Sequence, residues 1–279
     1  MKIVRTKAEL RSELAPARRT GRSIGFVPTM GFLHEGHRSL LAAARERCDV
    51  VVMSLFVNPT QFRPGEDLAA YPRDEARDAE IAAAAGVDLM FAPDTEEVYP
   101  DGYTTSVIVE GLSEVLCGDP ERRGLEHFRG VTTVVAKLLN IVGPDVAFFG
   151  QKDAQQAIVI KRMVRDLDFP VEIAVEPTVR EPDGLALSSR NVYLSGAERE
   201  RAVALSRALE RVRDLAEPGG DVDSAITEAL AILADAGIEP EYLEARDAET
   251  LEPVQGFNGR PVLVAVAAPL GRARLIENV

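Results

Sequence analysis

The sequence predicts an α/β protein, with a parallel sheet wound by helices over residues 1–178 and a smaller α+β unit over residues 179–279. Three observations carry that prediction. Strand-like apolar runs alternate with helical segments of ten or more residues through the first region, the rhythm of parallel strands joined by right-handed crossovers. Polar turns follow strands at residues 28–30, 58–61 and 150–153, and an open parallel sheet gathers its functional groups beyond the carboxyl ends of its strands. After about Thr178 the alternation stops.

Taken in order, residues 5–19 have amphipathic helical spacing, and residues 23–27 form an apolar run closed by Pro28, which reads as a strand. Residues 36–48, rich in Ala, Leu and Arg, have helical period, and residues 49–57 are a buried-strand run of Val, Met, Leu and Phe. An Ala- and charge-rich helix covers 73–85 and stops at Gly86, ahead of a strand at 87–91. Residues 104–109 read as a further strand, 127–142 as a helix, 146–149 as a short strand stopped by Gly150, 154–166 as a helix and 171–175 as a β-branched strand. Beyond the break, a charged helix covers 198–215. Glu217-Pro218-Gly219-Gly220 links it to a helix over 221–236 with Asp221 as N-cap. Strands at 241–245, 261–267 and 274–278 suit a small sheet.

At 279 residues the chain exceeds the common domain size, which is about 100 to 200 residues. Its net charge of -13 argues against nucleic acid or an anionic membrane as the main partner, because either needs a basic face. An anionic small-molecule substrate must then meet a local cluster of Lys, Arg and His. Cys48 and Cys117 are too few for a disulfide framework. No apolar stretch approaches the length of a membrane helix, and the first residues carry no signal-like apolar segment. A cytoplasmic protein is expected.

The chain is organised around the turn from Val27 to His37. The first N–H groups of a helix lack intrahelical partners and its dipole is positive there, so the turn is a seat for polyphosphate. His34 in the turn and His37 in the first helical turn can both face that seat, while Gly31 and Gly36, without Cβ atoms, let backbone and ligand come close. The same spacing also fits a capping pair or half a metal site. The metal reading finds little to complete it, since His127 is the one other histidine and Cys48 lies at the far end of the helix.

Four further stretches carry candidate chemistry. Asn58 and Gln61, in Asn58-Pro59-Thr60-Gln61-Phe62, offer neutral amides that can hold a carboxylate without an ion pair and so leave it nucleophilic; a plain Pro turn is the alternative. Gly150 permits close approach, Lys152 supplies a point charge for phosphate, and Asp153 either caps the next helix or accepts from ribose hydroxyls. Ser188-Ser189-Arg190-Asn191 reads as a clamp for phosphate oxygens on a mobile lid, or as a solvated loop. Arg122, Arg123, His127 and Arg129 form a basic cluster, with Arg122 and Arg123 read as solvated. Together these parts suit nucleotidyl transfer, in which a carboxylate attacks the α-phosphorus of ATP and pyrophosphate leaves. No carboxylate pair or Ser-His-Asp order points to hydrolysis. The residues by themselves stop at this reaction class.

Pro28-Thr29-Met30-Gly31-Phe32-Leu33-His34-Glu35-Gly36-His37 resembles the His-x-Gly-His signature of the nucleotidyltransferase superfamily. Five further stretches, taken in order, resemble the pantothenate synthetase family. These are Asn58-Pro59-Thr60-Gln61-Phe62, His127-Phe128-Arg129-Gly130-Val131, residues 150–156, residues 180–191 and residues 271–278. The resemblance implies a Rossmann-like nucleotide-binding domain with a C-terminal lid. It implies an ATP-dependent ligase in which pantoate and ATP give pantoyl adenylate, which β-alanine converts to pantothenate and AMP in coenzyme A biosynthesis. By the family pattern Met30, Gly31, His34, Gly36, His37, Lys152, Leu187, Ser188, Ser189 and Arg190 hold ATP and its phosphates, with His34, His37, Lys152 and Arg190 as the catalytic set. Gly150, Asp153 and Val179 hold ribose and adenine, and Gln61, Gln156, Asn58 and Thr29 hold the acid and amine substrates. Mg²⁺ and a homodimer are also implied. Leu187 stands where the family commonly has Met, a volume-conserving change, and Phe32 where it often has a small or polar residue. Two rivals stay open: a nucleotidyltransferase of the same fold that releases a nucleotidylylated cofactor precursor, and a non-catalytic nucleotide-binding module.

Overall fold

A computed structural model of the chain describes residues 1–63, 65 and 68–279. In the first region β1 (Lys2–Val4), α1 (Lys7–Arg19), β2 (Ile24–Thr29), α2 (Glu35–Arg47), β3 (Val50–Leu55), α3 (Glu75–Ala84) and β4 (Leu89–Phe91) follow one another. After the short α4 (Thr95–Val98) come α5 (Gly124–Val142), β5 (Val146–Gly150), α6 (Ala154–Asp166) and β6 (Glu172–Glu176). The strands form a six-stranded sheet in the order β1-β4-β3-β2-β5-β6, and every pairing in it is parallel. The apolar run of β3 explains its central place. Val50 and Val52 join Phe26, Phe91 and Leu139 in a core on one face, while Val51 and Met53 join Val27, Met90 and Phe148 on the other. A strand covered on both faces has no polar side to show.

The strand order reverses between β2 and β5. From β2 the chain winds to β3 and β4, and later from β5 to β6 on the other side. The β2–β5 pairing is registered at Gly25↔Val146 and Phe26↔Ala147, near the amino end of both strands. Their carboxyl ends therefore lead into a crevice at a topological switch point, the place where such sheets bind ligands. Both α2 and α6 start beyond those ends, so two helix N-termini serve one crevice.

The second region consists of α7 (Gly196–Leu215), α8 (Val222–Asp235) and an antiparallel sheet of β7 (Tyr242–Asp247), β8 (Val262–Leu270) and β9 (Ala273–Asn278) in the order β7-β8-β9. Asp221 caps α8 by accepting from Ser224 N–H at 2.8 Å. One face of this sheet, with Leu243, Ala245, Val264 and Val266, packs on α7 and α8. The other, with Tyr242, Leu263, Ala265 and Ala267, packs on Phe128 and Val159 of the first region. Among the described residues no helix is long and apolar enough to cross a membrane.

Two expectations need correction. Residues 104–109 form no strand. Their backbone is served by α5 instead: Val107 N–H donates to Thr133 Oγ1 at 2.9 Å, and Val107 C=O accepts from Thr132 Oγ1 at 2.7 Å. β-Branched residues favour a strand only where a ladder partner exists. Arg122 is not solvated. Its guanidinium lies 4.5 Å from the centroid of the Tyr242 ring, donates to Leu116 C=O at 3.1 Å and pairs with Glu244 at 2.9 Å.

Candidate active site

The β2–α2 turn is held by its own neighbourhood. Gly31 turns the chain with φ of +89°, and a Cβ there would lie 2.6 Å from Leu55 Cδ1 and 2.9 Å from Asp78 Oδ2. Its bare Cα thus makes room for Leu55 and Asp78, and Gly31 is not among the residues that line the crevice. Asp78, fully buried on α3, accepts from Phe32 N–H and Leu33 N–H, each at 2.7 Å. The pair of bonds fixes Phe32 at φ of +52°, a conformation uncommon outside glycine. Arg77 lies over the Phe32 ring at 5.2 Å and donates to Leu33 C=O at 2.9 Å.

His34 is the N-cap of α2, its Nδ1 accepting from Gly36 N–H at 3.2 Å. Gly36 is needed here too, because a Cβ would stand 2.9 Å from the His34 ring. His37 Nδ1 accepts from His34 N–H at 3.3 Å, and the two rings lie 4.2 Å apart. Capping engages Nδ1 alone and so is compatible with a ligand role for either ring. With each Nδ1 an acceptor, the proton of each neutral ring sits on Nε2, and both rings line the crevice. Burial lowers His34 to about 4, with Lys152 nearby adding to the effect. Burial lowers His37 further, to about 3, helped by His34 and Lys152. Both are neutral N–H donors at physiological pH.

Across the crevice, residues 151–153 form a single 3₁₀ turn before α6. A Cβ on Gly150 would meet nothing within 4 Å, so this glycine does leave open space. Asp153 occupies the N-cap position of α6 yet makes no capping bond. Its carboxylate, 4.0 Å from Lys152 Nζ, is left for other use. A hairpin from 179 to 187, closed by Leu187 N–H to Val179 C=O at 3.0 Å, brings Val179 and Leu187 together, with Ser188, Ser189 and Arg190 following. Ser188 Oγ accepts from Arg190 N–H at 3.2 Å and caps a second 3₁₀ turn, Ser189–Tyr193.

The amide side is built on Asn58, which is 1% exposed. Asn58 Nδ2 spends both hydrogens, on Gln61 Oε1 and Gly130 C=O at 3.1 Å each. Its Oδ1 accepts from Tyr99 Oη at 2.9 Å and Thr60 Oγ1 at 3.0 Å. Burial raises Tyr99 to about 12, which keeps that hydroxyl a donor. Gln61 Nε2 in turn donates to Met30 Sδ at 3.1 Å. Thr29 Oγ1 donates to Ser54 C=O at 2.8 Å and accepts from Gly31 N–H, so it braces the turn. Gln156 lines the crevice, whereas its neighbour Gln155 is consumed by Leu112 and Val115 carbonyls.

One crevice thus collects Thr29, Met30, His34, Gly36, His37, Asn58, Gln61, Gly150, Lys152, Asp153, Gln156, Val179, Leu187, Ser188, Ser189 and Arg190, all the expected residues but Gly31. It also takes in Arg123 and His127, whose Nδ1 lies 2.9 Å from Gln61 C=O. Sequence reasoning missed Asp78, Tyr99 and this use of Arg123. Asp78 lies in an Ala-rich helix 45 and 46 positions from its partners, with no local signal.

Comparison with known proteins agrees along the whole length. A family model described as Pantoate-beta-alanine ligase matches residues 2–279. A pantothenate synthetase from Moorella thermoacetica is 57% identical, the match covering 100% of this chain and 98% of that one. The crystal structure of pantothenate synthetase from Thermus thermophilus is similar with a TM-score of 0.93 and 48% identity, over 100% of this chain and 99% of that one. The structure of pantoate-beta-alanine ligase from Francisella tularensis, complexed with beta-gamma ATP and beta-alanine, has a TM-score of 0.83 and 34% identity, over 100% and 97% of the two chains.

Proposed function

The chain belongs to the pantoate-beta-alanine ligase family, and from that premise we propose how its residues divide the work of an ATP-dependent ligase. Pantoate and ATP meet in the crevice between β2 and β5. A carboxylate oxygen of pantoate attacks the α-phosphorus, and the bond from that phosphorus to the bridging oxygen of pyrophosphate breaks. The amine of β-alanine then attacks the acyl carbon of the pantoyl adenylate. AMP leaves with the acyl–oxygen bond pair, and the amine proton passes to solvent.

The observation that carries this reading is the pair of neutral imidazoles, each with Nδ1 engaged by backbone and Nε2–H left to donate, on a helix N-terminus facing Lys152. Donors fixed in advance stabilise charge that grows on the phosphates without reorganising. His34, His37, Lys152 and Arg190 do this, and His37 assists at the α-phosphate. Met30, Ser188 and Ser189 complete the nucleotide grip, while Gly150, Asp153, Val179 and Leu187 hold ribose and adenine. Gln61 and Gln156 hold pantoate, and Asn58 and Thr29 act by orienting Gln61 and the turn. We place the division between the nucleotide-binding region and the C-terminal unit at residue 178.

Mg²⁺ fits this set as a companion of the triphosphate. Among the described residues no group of three His, Cys, Asp or Glu side chains could hold a metal ion, and the carboxylate lining the crevice is Asp153. The ion would rest on phosphate oxygens with Asp153 as its protein neighbour, and when bound it would neutralise phosphate charge. A homodimer acting in the cytoplasm completes the proposal; sedimentation of the purified chain tests the dimer. The decisive measurement is ATP–pyrophosphate exchange with pantoate present and β-alanine absent. Pantoate-dependent exchange is expected, and its absence in folded, ATP-bound protein overturns the assignment of a free adenylate step.

A further inference from the structure

The 3₁₀ turn that carries Lys152 is a single turn leading directly into α6. Two of its carbonyls are taken up from far along the chain. Asn278, at the end of β9 and 5% exposed, donates one amide hydrogen to Gln151 C=O at 2.9 Å and the other to Lys152 C=O at 2.8 Å. Its neighbour Glu277, 2% exposed, forms an ion pair with the half-buried Arg180. Arg180 bridges Ala186 and donates to Gly184 C=O at 2.9 Å, at the base of the hairpin that leads to Ser188, Ser189 and Arg190. Successive residues of a strand point to opposite faces. The end of one strand therefore reaches the Lys152 turn with one side chain and the Ser-Ser-Arg hairpin with the next. β8 holds the strand in register, Glu277 opposite Val266 and Asn278 opposite Ala265.

We infer that Glu277 and Asn278 are positioning residues that set the two halves of the phosphate grip against each other. Neither needs to touch substrate. Asn278 fixes the backbone from which Lys152 projects, and Glu277 fixes the hairpin through Arg180. The two loops come from sequence positions more than twenty-five residues apart and share no strand. Without a common anchor their separation would vary, and a misplaced charge loses most of its catalytic value. The inference rests on the reading of Lys152 and Arg190 as phosphate ligands.

The test is a double-mutant cycle between Asn278→Ala and Lys152→Ala, read by pantoate-dependent ATP–pyrophosphate exchange and by amide hydrogen exchange of the peptide spanning 151–156. Asn278→Ala should slow exchange about tenfold, the worth of two modest hydrogen bonds, with the KM for ATP rising. It should add nothing further in the Lys152→Ala background, and it should deprotect 151–156 while α7 and α8 stay protected. Asn278→Ser, which keeps one donor, should fall between and serves if the alanine variant folds poorly. Additive losses, or unchanged exchange and protection in a folded variant, overturn the inference. A wild-type chain that shows no exchange would instead count against the free adenylate step, and the hydrogen-exchange arm would still decide whether Asn278 holds the turn.

Discussion

The turns after β2 and β5 look equivalent: each leaves a parallel strand at the switch point, starts a helix and presents cationic or N–H groups to one crevice. They are stabilised differently. The β2–α2 turn is closed on itself and on α3, with Asp78 bonding two backbone N–H groups and each imidazole capping its own helix. The β5–α6 turn has an unused N-cap and takes its backbone partners from β9. The contrast separates a part of the site that is complete within the first region from one that depends on the C-terminal sheet.

The comparison can be broken most sharply at His37. His37→Ala should fold normally and lose two or more orders of magnitude in adenylation rate, roughly the 3 to 4 kcal/mol that a preorganised donor supplies; near-normal exchange would remove the ring from the mechanism. Next is Asp78→Ala, which orphans two backbone N–H groups in a buried turn. A loss of about 3 kcal/mol or more in urea unfolding is expected, with adenylation slowed as the turn loosens, whereas Asp78→Asn should cost less because one acceptor remains. If Asp78→Ala unfolds at the wild-type midpoint, the first turn is not self-held in the way described.

Asp153→Asn sharpens the other side. Because Asp153 makes no capping bond, its stability should change by less than about 0.5 kcal/mol while ATP Kd weakens about tenfold, measured by calorimetry. A matching drop in stability would return Asp153 to a capping role. The smallest effect is a flat response to pH. With folded values of about 4 for His34 and about 3 for His37, kcat/KM for ATP should show no limb from either of these rings between pH 6 and 8. The stability sign follows. The unfolded imidazoles protonate near 6.5 and the folded ones do not until much lower, so this contribution is full above pH 6.5 and is lost as pH falls toward 4. An NMR titration of either ring near 6.5 in the free protein would contradict the burial that lowers both values.

Local signals carried the features that local physics determines. α6 begins and ends at Ala154 and Asp166, where the spacing places it, and β3 follows from a run that no half-exposed strand would tolerate. The Gly, Pro and His punctuation after β2 and β5 marks turns that do meet in one crevice. β1 is only three residues long and owes its existence to pairing with β4, so no window of its own sequence reveals it. Residues 104–109 erred the opposite way, with strand propensity but no strand beside them. Asp78, Asn278 and Arg122 escaped for one reason: their partners lie 45, 126 and 122 positions away, and composition does not record who meets whom.

Burial of the β7–β9 sheet on both faces has a mechanical consequence. Swinging the whole C-terminal unit away would strip Tyr242, Leu263, Ala265 and Ala267 from Phe128 and Val159 and break the Arg122–Glu244 pair, exposing apolar surface at about 25 cal/mol per Å². The unit is fastened like a bracket to the frame it supports. The base of the 179–187 hairpin is fastened to the same frame, by Leu185 in the core with α7 and α8 and by Arg180 on Glu277, so ATP enters a crevice whose walls are both anchored.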